Sequence, residues 1–414
     1  MSPATGAAPP LQALRFAGVS APVILPQDPD LTQALLGCMR NWPGDIVSYA
    51  PGDPLPGPPL GVIEPRGRGR YRAHSRFLEQ PLDDLAAATA VCVVLADLSQ
   101  AYSEADATHA FGLHCGCVTL GTHGLILAGE RRAGKSTLVA RLSAEPEVRV
   151  LCDDVLPIAT DGTALALGLA PRLRLPLPEG ASPLFRAHVD RWLGPADDRY
   201  GYLLPPGLLP HGTRVPANVL LVLDRQAEGR ARLHRLPADE VLHHVLQRSI
   251  TGPEGADATF AAAERLTGRL AGLRLVYSDL EDAVALLRAA FGTSALPTEA
   301  GGLVLPALPQ GPSVRPDAGP LAVAPRSRFR RVKGVSVRRV GEAAFLWRPG
   351  EAILWHLNPV ARALWTLLTR PASASEMADV LTEAFPDEDP ERLLADVARL
   401  LARLQAEDLV VPAR

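Results

Sequence analysis

The sequence predicts an α/β protein in two parts: a larger domain built around a glycine-bearing loop between a strand and a helix, then a small α+β domain. Three observations carry this. Short apolar runs alternate with helical patterns from about residue 85 to residue 291. Gly129-Glu130-Arg131-Arg132-Ala133-Gly134-Lys135-Ser136-Thr137 follows one apolar run and opens a helical one. From Thr293 to Ser327 the chain is rich in Pro, Gly, Ala and Ser, with seven prolines, and beyond it the pattern changes character.

Composition sets the outer limits. A chain of 414 residues makes two or three domains at roughly 100–200 residues each. A hydrophobic share of 47% with a net charge of -3 excludes a wholly disordered chain. The near-neutral balance also excludes a polybasic protein that grips nucleic-acid phosphates, so no nucleic-acid partner is expected. No run reaches the ~18 apolar residues of a membrane span. The longest candidate, Leu85 to Ala96, is flanked by Asp83, Asp84 and Asp97. The opening Met-Ser-Pro-Ala-Thr lacks a basic segment followed by an apolar one, so no secretory signal is expected. Cys38, Cys92, Cys115, Cys117 and Cys152 do not form a disulfide-type pattern, which fits the cytoplasm. Of the 42 basic residues only two, Lys135 and Lys333, are lysines.

In chain order, the stretch to about residue 75 mixes Pro/Gly loops (Pro51 to Pro59) with apolar runs such as Val23-Ile24-Leu25. Val91 to Leu95, Leu125 to Ala128, Val148 to Cys152 and Val219 to Leu223 read as buried strands. Helical periodicity covers Lys135 to Leu142, Asp239 to Arg248, Ala258 to Leu270 and Leu280 to Phe291. Pro171 to Pro178 holds too many prolines for a central strand. After the linker, Val335 to Val340 and Ala343 to Trp347 read as a hairpin and Ala352 to Trp355 as a third strand. Helices at Val360 to Leu368, Ala374 to Phe385 and Pro390 to Glu407 complete the set. The domains are therefore 1–300 (best defined over 85–290), a linker at 301–327, and 328–414.

The loop matches G-x-x-x-x-G-K-[ST] between a strand and a helix, where a chance match is expected on the order of 10⁻³ times per chain. Gly129, Ala133 and Gly134 let backbone N–H groups turn inward at the positive end of a helix. Lys135 extends a compact charge to the β- and γ-phosphates, where a planar guanidinium fits poorly. Ser136 can offer a hydroxyl to Mg²⁺, and Thr137 completes the first helical turn. Downstream, Val148 to Cys152 ends in Asp153-Asp154. Ligands of open α/β sheets sit at the carboxyl ends of strands, so this pair is expected to face the loop. Adjacent residues point apart, so one carboxylate can serve the metal and the other the incoming hydroxyl.

Leu113-His114, the strand and loop from Leu125 to Lys135, and Cys152-Asp153-Asp154 together resemble the HPr serine kinases and the related kinases found with lasso-peptide clusters. The resemblance covers about residues 85–290 and is strongest over 110–158. It implies a P-loop fold of the HPr kinase and phosphoenolpyruvate carboxykinase type, using ATP and Mg²⁺. It also implies roles: Lys135 on the phosphates, Ser136 and Asp154 on the metal, Asp153 orienting or deprotonating the attacking serine, and His114 hydrogen-bonded near the aspartates. Arg131 and Arg132 depart from the small residues usual in such loops. The glycine- and arginine-bearing signature of the reverse, phosphorolytic reaction is missing, so kinase-only chemistry is the expectation.

Strand alternation puts Cys115 and Cys117 on one face and His114 on the other, with no second cysteine pair, so buried cysteines are expected rather than zinc. His243-His244 has no carboxylate at metal spacing. Arg172 and Arg174 alternate along an extended run and are candidates to face phosphates, with Arg248 a weaker one. Arg66 to Arg72 reads as a solvated basic segment.

Residues 328–414 resemble PqqD, small winged-helix proteins that bind leader peptides during ribosomal peptide modification. Gly334-Val335-Ser336-Val337, Phe345-Leu346-Trp347, Leu357-Asn358, Trp365 and Ser375-Glu376-Met377 carry the resemblance. It implies a precursor (leader) peptide as partner, adding a strand at about Ala352, Ile353, Leu354 and Trp355. Leu393, Val397, Leu400 and Leu404 of the last helix would line its groove, unless they only fill the core. That helix mixes Arg392, Arg399 and Arg403 with Glu391, Asp396, Glu407 and Asp408, which argues against DNA. The combined expectation is a kinase that phosphorylates a serine or threonine of a captured peptide, with other peptide-modifying enzymes as further partners. The alternatives are an ATP-gated peptide chaperone and a small-molecule kinase with a regulatory winged helix.

Overall fold

The computed structural model describes residues 11–49, 57–105, 109–130, 132–308 and 323–413. Arg131, most of the Pro51 to Pro59 loop and the middle of the linker lie outside the described residues. The chain is mixed α/β, with several sheets and ten helices among the described residues. It divides into two compact units. One holds the chain up to Leu236 together with His244–Pro253 and Ala262–Ala307; the other holds Pro237–His243, Glu254–Ala261 and everything from Leu308.

The first unit is organised by a seven-stranded sheet. Its order is Arg149–Cys152, Gly116–Leu120, His123–Ala128, Val219–Arg225, Ala271–Tyr277, Arg232–Arg235, Val304–Leu305. The three central strands, His123–Ala128, Val219–Arg225 and Ala271–Tyr277, run parallel. Their near-continuous apolar runs suit a sheet covered on both faces. The helices Lys135–Leu142 and Leu280–Phe291 follow two of these strands and supply Leu138, Leu142, Val284 and Leu287 to the same core. Gly116 lets the first helix close on the sheet, since a Cβ there would stand 2.7 Å from Val139 Cγ2.

Arg149–Cys152 is antiparallel to Gly116–Leu120, which is antiparallel to His123–Ala128. The outer two therefore point the same way, and their carboxyl ends share one edge of the sheet. A five-stranded sheet lies beside this edge in the chain. Its order is Arg214–Pro216, Thr163–Leu165, Val155–Ala159, His109–His114, Ser249–Thr251.

The N-terminal stretch, read from the sequence as loops and short apolar runs, is a six-stranded sheet. Its order is Gly44–Tyr49, Leu11–Phe16, Val23–Pro26, Gly61–Gly67, Arg70–Ser75, Leu82–Leu85. The Arg66 to Arg72 segment forms its hairpin. Arg70 and Arg72 are paired with Asp84 and Asp83, which makes a solvated ion-pair ladder. The expected strand Val91 to Leu95 is instead part of the helix Ala87–Ala105. Its buried residues Ala88, Val91, Leu95 and Leu98 recur at helical spacing, and the alanines around the β-branched run tip the balance. Arg172–Arg174 forms an edge strand of a separate three-stranded sheet, as its prolines require.

In the second unit, Ser336–Val340, Ala343–Trp347 and Leu354–Leu357 form an antiparallel sheet in that order. Three helices follow. Pro359–Leu367 is capped by Asn358, Ala374–Ala384 opens on a Ser373/Glu376 capping box, and Pro390–Ala406 is capped by Asp389. Leu364, Trp365, Met377, Leu381, Val397 and Leu401 fill its core. Segments 237–243 and 254–261 belong to this unit, the first through His243 stacked on His356 and the second through the middle strand. The Trp347 indole donates to Asp257 (2.7 Å), and the Phe260 ring stacks on Trp347 at 4.9 Å.

Candidate functional site

The loop after His123–Ala128 is built on left-handed backbone at Gly129 (φ 156°), Arg132 (φ 70°) and Gly134 (φ 94°). Gly134 sits at the N-cap of Lys135–Leu142, which has no side-chain cap. A side chain at Gly134 would be strained by its φ and would meet the Tyr277 hydroxyl at 2.7 Å. That hydroxyl donates to the Ala133 carbonyl (3.0 Å), so the parallel strand Ala271–Tyr277 fixes the loop from beneath. Lys135 arches back over the loop, its Nζ donating to the carbonyls of Gly129 (3.1 Å) and Glu130 (3.2 Å). Burial, followed by the Arg248 charge, pulls the Lys135 ammonium below its ordinary range. Ser136 and Thr137 occupy the first helical turn, half-buried, and Arg132 is exposed.

Asp153 and Asp154 stand at the carboxyl end of Arg149–Cys152, on the edge that carries the loop. The Asp153 carboxylate accepts from the Arg172 backbone N–H (2.8 Å). Burial, then repulsion from Asp154, lifts its pKa to about 7; the Arg172 charge and the Ser136 hydroxyl oppose that rise. His114 ends its strand with Nε2 at 3.4 Å from Asp154 Oδ1. Its pKa is lowered, chiefly by burial, with Asp154 pulling the other way and Lys135, Arg248 and Arg172 adding to the drop. The structure thus gathers Gly129, Ala133, Gly134, Lys135, Ser136, Thr137, His114, Asp153 and Asp154 at one place.

Beside Asp153 opens a small recess of ≈ 30 Å³, lined by Cys92, Leu95, Leu167, Ala170, Arg172 and Tyr202 among others. The Arg172 guanidinium contacts the Cys92 sulfur and lies 5.0 Å over the Tyr200 ring. Arg174 is exposed. Cys115, Cys117 and Cys152 are buried free thiols, with Cys117 facing Cys152 across the strands. Among the described residues no three His, Cys, Asp or Glu side chains gather as a metal set. The oxygen donors of Ser136 and Asp154 fit Mg²⁺, which binds one or two protein oxygens and completes its shell with phosphates and water.

The sequence reading missed the recess. Cys92, Leu95 and Arg172 come from a helix mistaken for a strand and from an edge strand, so no local pattern links them.

In the second unit the strand expected at Ala352 begins at Leu354, because Ala343–Trp347 pairs only from Leu354 onward. Ala352 and Ile353 precede it and are exposed, Ile353 at 52%. The Trp355 indole donates to Glu407 (3.1 Å). Of the residues expected in a groove, Val397 and Leu404 are core, while Leu393 and Leu400 are half-buried against it. Residues 344–410 match PqqD, coenzyme PQQ synthesis protein D. The C-terminal module is PqqD-like. The match opens in the middle strand and ends at Val410, so it takes in all three helices. The first strand of the PqqD-like sheet, Ser336–Val340, precedes the matched span. No curated protein matches the chain. No helix among the described residues is long and apolar enough to cross a membrane.

Proposed function

We propose that the chain is an ATP-dependent kinase of the HPr serine kinase type, whose PqqD-like module holds the leader of a ribosomally made precursor peptide. The acceptor is a serine or threonine hydroxyl of that peptide. The observation that carries this reading is the meeting of the loop's Lys135 and Ser136 with the raised-pKa carboxyl of Asp153 on one sheet edge. The parallel strands behind the loop support a P-loop fold. The PqqD match supports a role in peptide modification.

In this reading Lys135 holds the β- and γ-phosphates, and the backbone at Gly129 to Gly134 cradles them. Ser136 and Asp154 would hold Mg²⁺, which would supply charge neutralisation at the phosphates. Asp153 orients the acceptor hydroxyl and takes its proton as the oxygen bonds to the γ-phosphorus and the bond to the β-phosphate oxygen breaks. The products are ADP and the phosphoester. A carboxyl with pKa about 7 is a better proton acceptor than an ordinary aspartate while still half-ionised at neutral pH. His114 positions Asp154. The peptide's leader would pair with the free edge of Leu354–Leu357 by strand addition, its side chains against Leu393 and Leu400. Holding the leader raises the effective concentration of the acceptor.

The test is transfer of radiolabelled phosphate from ATP to the precursor peptide encoded beside the gene. Label on a peptide serine or threonine, lost in Asp153→Asn, is the expected result. Nucleotide binding without any transfer to peptide would overturn the proposal.

A further inference from the structure

Three arginines compete to be the second cation on the phosphates, and the structure separates them. Arg174 is exposed. The Arg172 guanidinium is already engaged by Cys92 and the Tyr200 ring. Arg248, the weakest of the three on sequence grounds, is half-buried, and its Nε is fully enclosed with no hydrogen-bond partner among the described residues.

Its position is fixed by the chain on both sides. Arg248 ends the helix Ala238–Arg248, and the next residue, Ser249, enters the five-stranded sheet opposite Leu113. That antiparallel register puts Arg248 at the His114 end of the strand. From there its charge acts on both Lys135 and His114, depressing each. A buried guanidinium N–H without an acceptor is costly, and clustering it with an ammonium adds repulsion. One ligand relieves both at once: a group with several anionic oxygens lying between the loop and His114. Lys135 stands at the helix start and Arg248 at the His114 end of the neighbouring strand.

We infer that Arg248 binds the terminal phosphate of a nucleoside triphosphate, distinguishing it from the diphosphate. This rests on the nucleotide reading above. A charge-assisted hydrogen bond to phosphate supports a discrimination of about tenfold or more.

The experiment measures Mg·ATP and Mg·ADP affinity by titration calorimetry on the full-length wild type, Arg248→Ala, Arg248→Gln and, as a control, Arg174→Ala. The wild type and Arg174→Ala should bind ATP at least about tenfold more tightly than ADP. Both Arg248 variants should bind ADP within about twofold of wild type, which also reports an intact fold, while the ATP preference falls to near unity. An unchanged ATP-to-ADP ratio in either folded variant overturns the assignment and leaves the nucleotide site standing. A wild type that binds neither nucleotide overturns the nucleotide reading and this assignment with it. Loss of ADP affinity in parallel with ATP in both variants overturns the claim of a terminal-phosphate contact.

Discussion

Asp153 has a pKa of about 7 in the fold against roughly 4 in the unfolded chain, so its charge is disfavoured by the folded state. A raised carboxyl pKa means the folded form holds its proton longer, so stability falls as the pH rises from about 4 to about 7. Asp153→Asn should therefore stabilise the protein at pH 8, by up to about 4 kcal/mol, and leave its stability near wild type at pH 4, read from denaturant unfolding at the two pH values. The same substitution should abolish transfer, an opposition between stability and activity expected of a functional site. The transfer rate of the wild type should climb through pH 7 with a slope of one proton, read by initial rates from pH 5.5 to 8.5. Asp97 offers a comparison without chemistry. It is buried, Ser75 satisfies one oxygen, the other has no partner, and burial raises its pKa to about 6. Asp97→Asn should stabilise the protein above pH 6 and leave the pH profile of transfer unmoved.

At the scale of elements, the loop and its helix act together. Gly134 supplies the turn, Tyr277 clamps the loop from the neighbouring strand, and Lys135 closes over it. Lys135→Ala should cut phosphotransfer by about 10²–10³-fold, and Lys135→Arg should not rescue it, because a planar fork does not replace a compact ammonium. The sequence disclosed this element well, since glycines at fixed spacing between an apolar run and a helical one have few other uses. The same holds for Leu280–Phe291 and for Ala374–Ala384, whose caps and periods are local. It disclosed the six-stranded N-terminal sheet poorly. Leu11–Phe16 and Gly44–Tyr49 pair across the helix Pro29–Gly37, and no turn motif announces a partner that distant. Val91 to Leu95 went wrong for a related reason: a short β-branched run is ambiguous until its flanks decide. The place of Arg248 follows from the pairing of Ser249 with Leu113, a long-range register that no local pattern announces.

At the scale of the molecule, composition placed the boundary in the Pro-rich stretch, whereas contacts assign 237–243 and 254–261 to the C-terminal unit. Phe260 lies against Phe345 and Trp347, and His243 stacks on His356 at 4.2 Å. Phe260→Ala should cost the C-terminal unit about 3 kcal/mol, measured by denaturant unfolding followed through tryptophan fluorescence.

The helix Ala238–Arg248 gives residues to both units: its start belongs with the PqqD-like sheet, and its last residue is the arginine beside His114. For anyone recombining such proteins, the visible seam is the wrong place to cut. A foreign module grafted at residue 328 would meet a Phe260 shaped for another tryptophan, and a working chimera must match residues 237–243 and 254–261 to the new module while keeping 244–253 as they are.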